Sequence, residues 1–315
     1  MGDRIKHALR VSVVNFHPLW GNKALNLERI ADTLEAEAKA GASFIVFPEM
    51  ALTGYDTESG VSREERMQVR LAEPVPGPAS AVISQITKEY GVYTAMGMPE
   101  QDPEDPAIVY NSVMVCGPEG LIGTYRKIHV PPGEACWASR GNDPLIIHTP
   151  WGPVGFGICY DVYVFPELTH YYRAKGVRLL INSTAINIAD PRKGKCQREL
   201  ESISFNSMIF IASANLTGLD RDTRFNGGSN IIGPSTDRKN SIYYVGRGFH
   251  SDDPLDRENI VLTATIDLTE TEDTHLNLFR ASPAYGEPDL RFDLYAKWFE
   301  ELMHDETWLK NFPGR

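Results

Sequence analysis

The sequence predicts an α/β layered fold, and three observations carry that prediction. Short runs of β-branched and aromatic residues alternate with amphipathic helical patterns through the first and middle parts of the chain. Hairpin signals built on Gly and Pro lie between them, which implies mixed sheets covered by helices. No linker or low-complexity tract divides the 315 residues, and an apolar content of 42% can fill a large core. The expected organisation is one domain over 1–285 and a C-terminal tail over 286–315. The tail carries Phe292, Tyr295, Trp298, Phe299, Trp308 and Phe312, many aromatics for a tail, and is expected to pack on the domain or on a neighbouring subunit.

Each element has its own signal. Residues 9–16 read as a first strand. Asn26 is placed as the cap of a helix in which Leu27, Ile30, Ala31, Leu34 and Ala38 recur at helical spacing, closing at Gly41. The run 43–47, stopped by Pro48, reads as a strand buried on both faces. Pro78 opens a helix to Tyr90, Gly91 closes it, and 92–98 is the next strand. Residues 110–116 and 121–126 flank a turn at Gly117 to Gly120, and 145–148 pairs with 154–158 as a second hairpin. After Cys159 the strand gives way to a loop, and a helix starts at Pro166, where a missing N–H costs nothing. A strand at 178–183, a helix at 194–207, and strands at 208–215, 227–232, 241–245 and 259–266 complete the pattern.

The charge balance excludes a class of partners. Forty-two acidic against 31 basic residues give a net charge of −11, and the densest basic cluster, at 192–195, reads as a solvated loop. Nucleic-acid affinity rests on clustered Lys and Arg, so no nucleic-acid partner is expected. No run approaches the ~20 apolar residues of a membrane helix, so no membrane partner is expected either. Four cysteines without C-x-x-C spacing suggest a reduced, cytoplasmic protein, where the sequons at Asn182 and Asn215 carry no meaning. The eight histidines show no compact ligand spacing, and neither metal nor organic cofactor is expected.

Three reactive side chains each stand just after an apolar strand: Glu49, Lys127 and Cys159. Strand ends are where a rigid scaffold presents groups to a common pocket. Singly, each has an ordinary structural reading, as a capping acid, a surface charge and a small buried hydrophobe. Together they describe a chemistry. A free thiol, with a pKa of about 8.5, needs a base or a cation to become a nucleophile. A carboxylate can take its proton, and an ammonium can steady both the thiolate and a developing oxyanion.

The blocks FPEMALTGY at 47–55, YRKIHV at 125–130 and GICYD at 157–161 resemble, in order and spacing, the three catalytic blocks of the nitrilase superfamily of carbon–nitrogen hydrolases. LLINSTA at 179–185, FNGGSNIIGP at 225–234 and DLRFDLY at 289–295 extend the resemblance over nearly the whole chain. It implies a four-layer α-β-β-α sandwich. It makes Cys159 the nucleophile, Glu49 the general base and Lys127 the electrostatic stabiliser, with Glu134 in HVPPGEACW as an assisting second carboxylate and the Tyr160 N–H as an oxyanion donor. It also implies a homodimer or a higher homo-oligomer.

Tyr160-Asp161 after the cysteine is similar to the amidase and carbamoylase branches, whereas nitrilases typically carry Trp-Glu there. Val162, Tyr163 and Val164 stand where D-amino-acid carbamoylases place arginines. Tyr55, Trp137, Tyr160, Tyr163 and Phe165 are candidates for an aromatic-lined pocket, and Asn182 is a further candidate substrate contact. The expected reaction is hydrolysis of a small linear amide or N-carbamoyl compound through a thioester. Three alternatives stay open: a nitrilase, a Cys-His hydrolase using His129 or His148, and a non-catalytic binding protein on the same fold.

Overall fold

Each of two sheets is built round three parallel strands, with antiparallel strands added at the edges. The structure, a computed structural model, describes residues 7–235, 239–271 and 283–311. The first half of the chain runs β1 (Ala8–Val14), α1 (Lys23–Lys39), β2 (Phe44–Val46), α2 (Met67–Leu71), α3 (Pro78–Tyr90), β3 (Tyr93–Gln101), β4 (Val109–Gly117) and β5 (Gly120–Arg126). The second runs β6 (Ile146–Thr149), β7 (Gly152–Ile158), α4 (Tyr160–Val164), α5 (Pro166–Ala174), β8 (Leu179–Thr184), α6 (Lys193–Ser207) and β9 (Phe210–Asn215). There follow β10 (Thr217–Asp220), β11 (Thr223–Asn226), β12 (Asn230–Pro234), β13 (Ser241–Val245) and β14 (Val261–Asp267). The six-stranded sheets have the orders β14-β1-β2-β3-β4-β5 and β13-β12-β9-β8-β7-β6. Strands β1, β2 and β3 are parallel in the first, and β7, β8 and β9 in the second.

Strand alternation decides which face meets which layer. In β1 and β2, Leu9, Val11, Val13, Phe44 and Val46 enter the core shared with Phe156, Ile158 and Ile181 of the second sheet. Ile45, Met96 and Met114 point the other way and meet Ile30 and Leu34 of α1 and Ala79 and Ile83 of α3. Both faces of a strand as short as Phe44–Val46 are therefore buried, as its uninterrupted apolar run predicts. Helices α5 and α6 cover the second sheet, giving the α-β-β-α sandwich.

Most predicted elements stand within two or three residues of their observed ends. The exceptions have local causes. The cap of helix α1 stands four residues before Asn26, at Asn22, which accepts from the Leu25 N–H. Asn26 is instead buried one turn in, where its amide bonds Leu19 and Leu52 backbone groups and fixes the loop before the helix. The segment after Cys159 is a helical turn, not a loop. The β10–β11 hairpin was not predicted, although Asp220-Arg221-Asp222 is a turn signal and Arg221 holds φ at 51°.

The chain separates into compact units, Met1–Glu272 and Asp273–Arg315. The second contains α7 (Phe292–His304) and α8 (Glu306–Asn311). None of the α7 residues is buried, and the rings of Phe292, Tyr295 and Trp298 pack on one another along it. Phe312 lies outside the described residues. Among the described residues no helix is long and apolar enough to cross a membrane.

One glycine positions the functional end of the first sheet. A Cβ on Gly97 of β3 would lie 2.3 Å from the Pro48 carbonyl oxygen and 2.6 Å from the Cα of Glu49. Only a bare backbone lets the segment after β2 cross β3 so closely. Gly97→Ala should cost about 1–3 kcal/mol as an overpacking change and shift Glu49. Urea denaturation and the position of Glu49 in a structure of the folded variant check this, and wild-type values in both would refute it.

Candidate active site

Glu49, Lys127 and Glu134 meet in the interior. Glu49 follows β2 in a stretch held by the Phe47 N–H to Ala95 carbonyl and Gly97 N–H to Pro48 carbonyl bonds. Lys127 follows β5, with its own N–H on the Asn111 carbonyl of β4 and its carbonyl accepting from Gly141. Glu134 lies in a tight turn whose N–H donates to Pro131, and Trp137 three residues on is buried against Met50 and Val109. All three charged side chains are essentially inaccessible to water.

The Lys127 Nζ donates to Glu49 Oε1 at 2.7 Å and to Glu134 Oε1 at 2.6 Å. Asn111 Nδ2 spans the same pair, donating to Glu49 Oε1 at 2.7 Å and Glu134 Oε2 at 2.9 Å. Tyr55 closes the group by donating to Glu134 Oε1 at 2.7 Å. Among the described residues, Glu49 Oε2 is left buried with no hydrogen-bond partner. Asn111 Oδ1 is likewise unpaired, but of the two only Glu49 Oε2 is a carboxylate oxygen, able to take a proton during reaction.

Cys159 sits at the end of β7 with φ 50° and ψ −103°, in the left-handed half of conformational space that a side chain seldom enters. The surroundings hold it there. Its N–H reaches the Ser183 carbonyl at 3.1 Å and Asn182 Oδ1 at 3.2 Å, and its carbonyl accepts from Val162 and Tyr163. Ser183 also reaches across the sandwich, its Oγ donating to the Phe47 carbonyl at 2.9 Å. One residue of β8 thus links the cysteine turn to the strand end that carries Glu49. Tyr160 is the first residue of α4, so its N–H lies outside the helix's own ladder.

The electrostatics follow from burial. The Glu49 carboxyl is pushed up to about 7 by burial, against the pull of the Lys127 ammonium, with Glu134 adding to the rise. Burial alone would lower the Lys127 pKa, but Glu134 and Glu49 outweigh it and hold the amine protonated. The Cys159 thiol is raised, by burial first and Glu49 second, while Lys127 pulls it down. Lysine and carboxylate therefore both act on the thiol through space.

The family-model comparison supplies the decisive observation: the carbon-nitrogen hydrolase description matches residues 10–275. The chain belongs to the carbon-nitrogen hydrolase family. The omega-amidase of Danio rerio is 34% identical over 219 residues, 65% of this chain and 73% of that protein. A nitrilase of Pyrococcus abyssi is 27% identical over 231 residues, 73% of this chain and 83% of that protein. The fold is shared with the amidase from Nesterenkonia sp. AN1. A double mutant of that amidase in complex with acrylamide aligns with a TM-score of 0.69 at 20% identity, covering 93% of this chain and 97% of that one.

In this carbon-nitrogen hydrolase a cavity of about 170 Å³ opens on Cys159. Tyr55, Glu134, Tyr160 and Tyr163 line it, and Asp190, Arg192, Lys195 and Glu199 form a charged wall at and beside the start of α6. Trp137 and Asn182, predicted as substrate contacts, do not line it. Trp137 anchors the Glu134 turn from below, and Asn182 supports the cysteine turn by donating to the Tyr163 hydroxyl and to Ser213. Phe165 is also absent from the wall and stacks on His129 at 3.5 Å. Neither His129 nor His148 lines the cavity, and His129 Nδ1 is engaged with Asp161 at 2.8 Å. Sequence reasoning missed Asn111, whose only signal was its place on the strand beside Lys127, and Ser183, hidden inside an apolar strand. Among the described residues no group of three or more His, Cys, Asp or Glu is disposed to hold a metal ion.

Removing the ammonium from between two buried carboxylates leaves uncompensated charge. Lys127→Met should lower stability by about 3–5 kcal/mol at pH 8. The loss relative to wild type should shrink towards pH 5, because protonation relieves more repulsion between the carboxylates in the variant, which lacks the ammonium, than in wild type, where Glu49 takes its proton at about 7. Urea denaturation across that range measures it, and a loss independent of pH would refute the account.

Proposed function

We propose that this hydrolase cleaves the C–N bond of a small linear amide or N-carbamoyl compound through a thioester on Cys159. The observation that carries the reading is the open Oε2 of Glu49, buried beside an ammonium that is already paired. As substrate binds, the thiol proton passes to Glu49 Oε2 while Sγ bonds the carbonyl carbon. The oxygen takes the negative charge, steadied by the Lys127 ammonium and the Tyr160 N–H. The C–N bond then breaks, and Glu49 returns the proton to the leaving nitrogen, which departs as ammonia or an amine. Water enters, gives a proton to Glu49 and attacks the thioester. The C–S bond breaks, and the proton goes back to sulfur.

A carboxyl with a pKa of about 7 is suited to both halves of this cycle, accepting and donating at neutral pH with little penalty. Glu134 fixes Lys127 and takes the Tyr55 hydroxyl, which leaves Glu49 as the proton carrier. The tyrosines beside the cysteine suit a short acyl chain, and the charged wall suits a polar or ionised tail. The omega-amidase relative supports an amide, and the nitrilase relative makes a nitrile the second reading. We further propose that the chain works as a homo-oligomer, with the apolar row of α7 as a contact between two copies. Trp298→Glu with Phe299→Glu should then lower the sedimenting mass towards that of one chain, and an unchanged mass would rule that contact out.

The catalytic proposal has a direct test. Ammonia release over amides, N-carbamoyl compounds and nitriles, with and without carboxylate tails, is followed beside intact-protein mass spectrometry. Wild type should form an acyl adduct with amide or carbamoyl substrates, Cys159→Ala should form none, and Glu49→Gln should fall by about 10²–10⁴ in kcat. Since Glu49 must be ionised to take the thiol proton, wild-type kcat/KM should rise with pH and level off above about 7. Ammonia from nitriles but not from the matching amides would turn the reading to a nitrilase. Turnover independent of Cys159 would overturn the mechanism.

A further inference from the structure

Asp161 is fully buried, stands two residues after Cys159, and takes part in none of the steps above. Its two oxygens are spent on the chain that carries Lys127. Oδ2 accepts from the Tyr125 hydroxyl at 2.8 Å, and Oδ1 accepts from the His129 backbone N–H at 2.7 Å and meets the His129 ring at 2.8 Å. Tyr125 lies two residues before Lys127 and His129 two residues after it. The Ile158 N–H, one residue before Cys159, completes the set at 3.3 Å. Above the carboxylate, the His129 ring stacks on Phe165 at 3.5 Å, and Phe165 meets the edge of Tyr160 at 5.3 Å. Strand β5 belongs to one sheet and β7 to the other, so this is a polar tie across the sandwich.

We propose that Asp161 is a positioning residue that sets the separation between the Lys127 ammonium and the Cys159 sulfur. It clamps the lysine segment symmetrically, on both sides of Lys127, to the turn that presents the thiol. A buried carboxylate accepting this many donors is rigid, because any displacement leaves a donor unsatisfied. Lysine therefore cannot drift from the sulfur without breaking the clamp. The assignment rests on the reading of Cys159 as nucleophile and Lys127 as its stabiliser, and it adds what holds them in register. Tyr125, buried with its hydroxyl donating to Asp161, is the lever on the strand side.

The test uses Asp161→Asn and Tyr125→Phe in the full chain, with folded protein selected by circular dichroism. The asparagine cannot accept at both ends of its side chain, so one of the backbone N–H groups of Ile158 and His129 loses its acceptor and that side of the clamp loosens. The measurements are kcat and KM for the best amide found for wild type, and the pH profile of Cys159 alkylation by iodoacetamide, read by peptide mass to separate it from the other cysteines. The expected result for Asp161→Asn is a kcat lower by about 10–100-fold with KM within about twofold, the scale of a small misplacement of reacting groups. The alkylation profile should move to higher pH, since a more distant ammonium stabilises the thiolate less. Tyr125→Phe, which removes one hydroxyl, should move both readouts in the same direction by a smaller amount and serves alone if Asp161→Asn does not fold. A merely structural role would lower the melting temperature and leave the alkylation profile of the folded protein in place, and that result overturns the proposal. So does a rise in KM at unchanged kcat. Absence of Cys159-dependent amide hydrolysis in wild type would instead overturn the amidase reading, and the alkylation profiles would still decide the clamp.

Discussion

The site depends on one ammonium held between two buried carboxylates. Lys127 gathers the end of β2, the end of β5 and the turn at Glu134, which are far apart in sequence, onto a single atom. An arrangement of this kind is not a source of stability in itself, because moving three charges out of water costs about as much as their attraction returns. Its value is in orientation. Lysine and Asn111 both bond Glu49 Oε1, so that carboxylate has one oxygen fixed and the other free. Gly97 below Glu49 and Trp137 below Glu134 bring the backbones close enough for those bonds to form.

The same cluster explains why the thiol rests protonated. Burial and the Glu49 carboxylate both disfavour a thiolate, and Lys127 offsets only part of that penalty. The useful comparison is between a neutral thiol beside a carboxylate and a thiolate beside a neutral carboxyl. Each carries one negative charge near the same ammonium, so the proton can move between them without a change in the buried charge. The raised Glu49 pKa narrows the gap from the carboxylate side. In the proposed cycle, attack on a carbonyl then moves the charge onto an oxygen that the ammonium and the Tyr160 N–H would meet, completing the transfer.

The sequence revealed strands and helices wherever their signal was local. Phe44–Val46 is buried on both faces and reads so; α3 carries Pro78 at its start and Gly91 in the left-handed region at its end. Side chains whose job is set by a distant partner read less well. Asn26 has the residue type of a cap, but the loop at Leu19 and Leu52 claims its amide. Trp137 lies next to a catalytic block in sequence yet faces away from the cavity, since proximity along the chain does not fix direction across a tight turn. Asn111 belongs to no motif, and Ser183, although inside the LLINSTA block at 179–185, gives no sign there of its partner. Their roles exist only because β4 lies beside β5 and β8 faces the end of β2.

The division of the site between two sheets has a consequence for how such a protein tolerates change. Glu49 and Lys127 follow strands of the first sheet, and Cys159 follows a strand of the second. Their relative position is therefore set by the core between the sheets, where Val46, Phe156 and Ile158 pack, and by the few polar bonds that cross it. An apolar core resists changes in volume but directs orientation weakly, because many side-chain arrangements fill the same space. Hydrogen bonds from Ser183 to Phe47, and from Tyr125 and His129 to Asp161, are directional and leave a buried group unsatisfied when they slip. The core thus holds the sheets together, and the crossing bonds hold them in one register. A misplacement of about 1 Å can cost about 10²-fold in rate, so activity should respond to the crossing bonds more sharply than stability does.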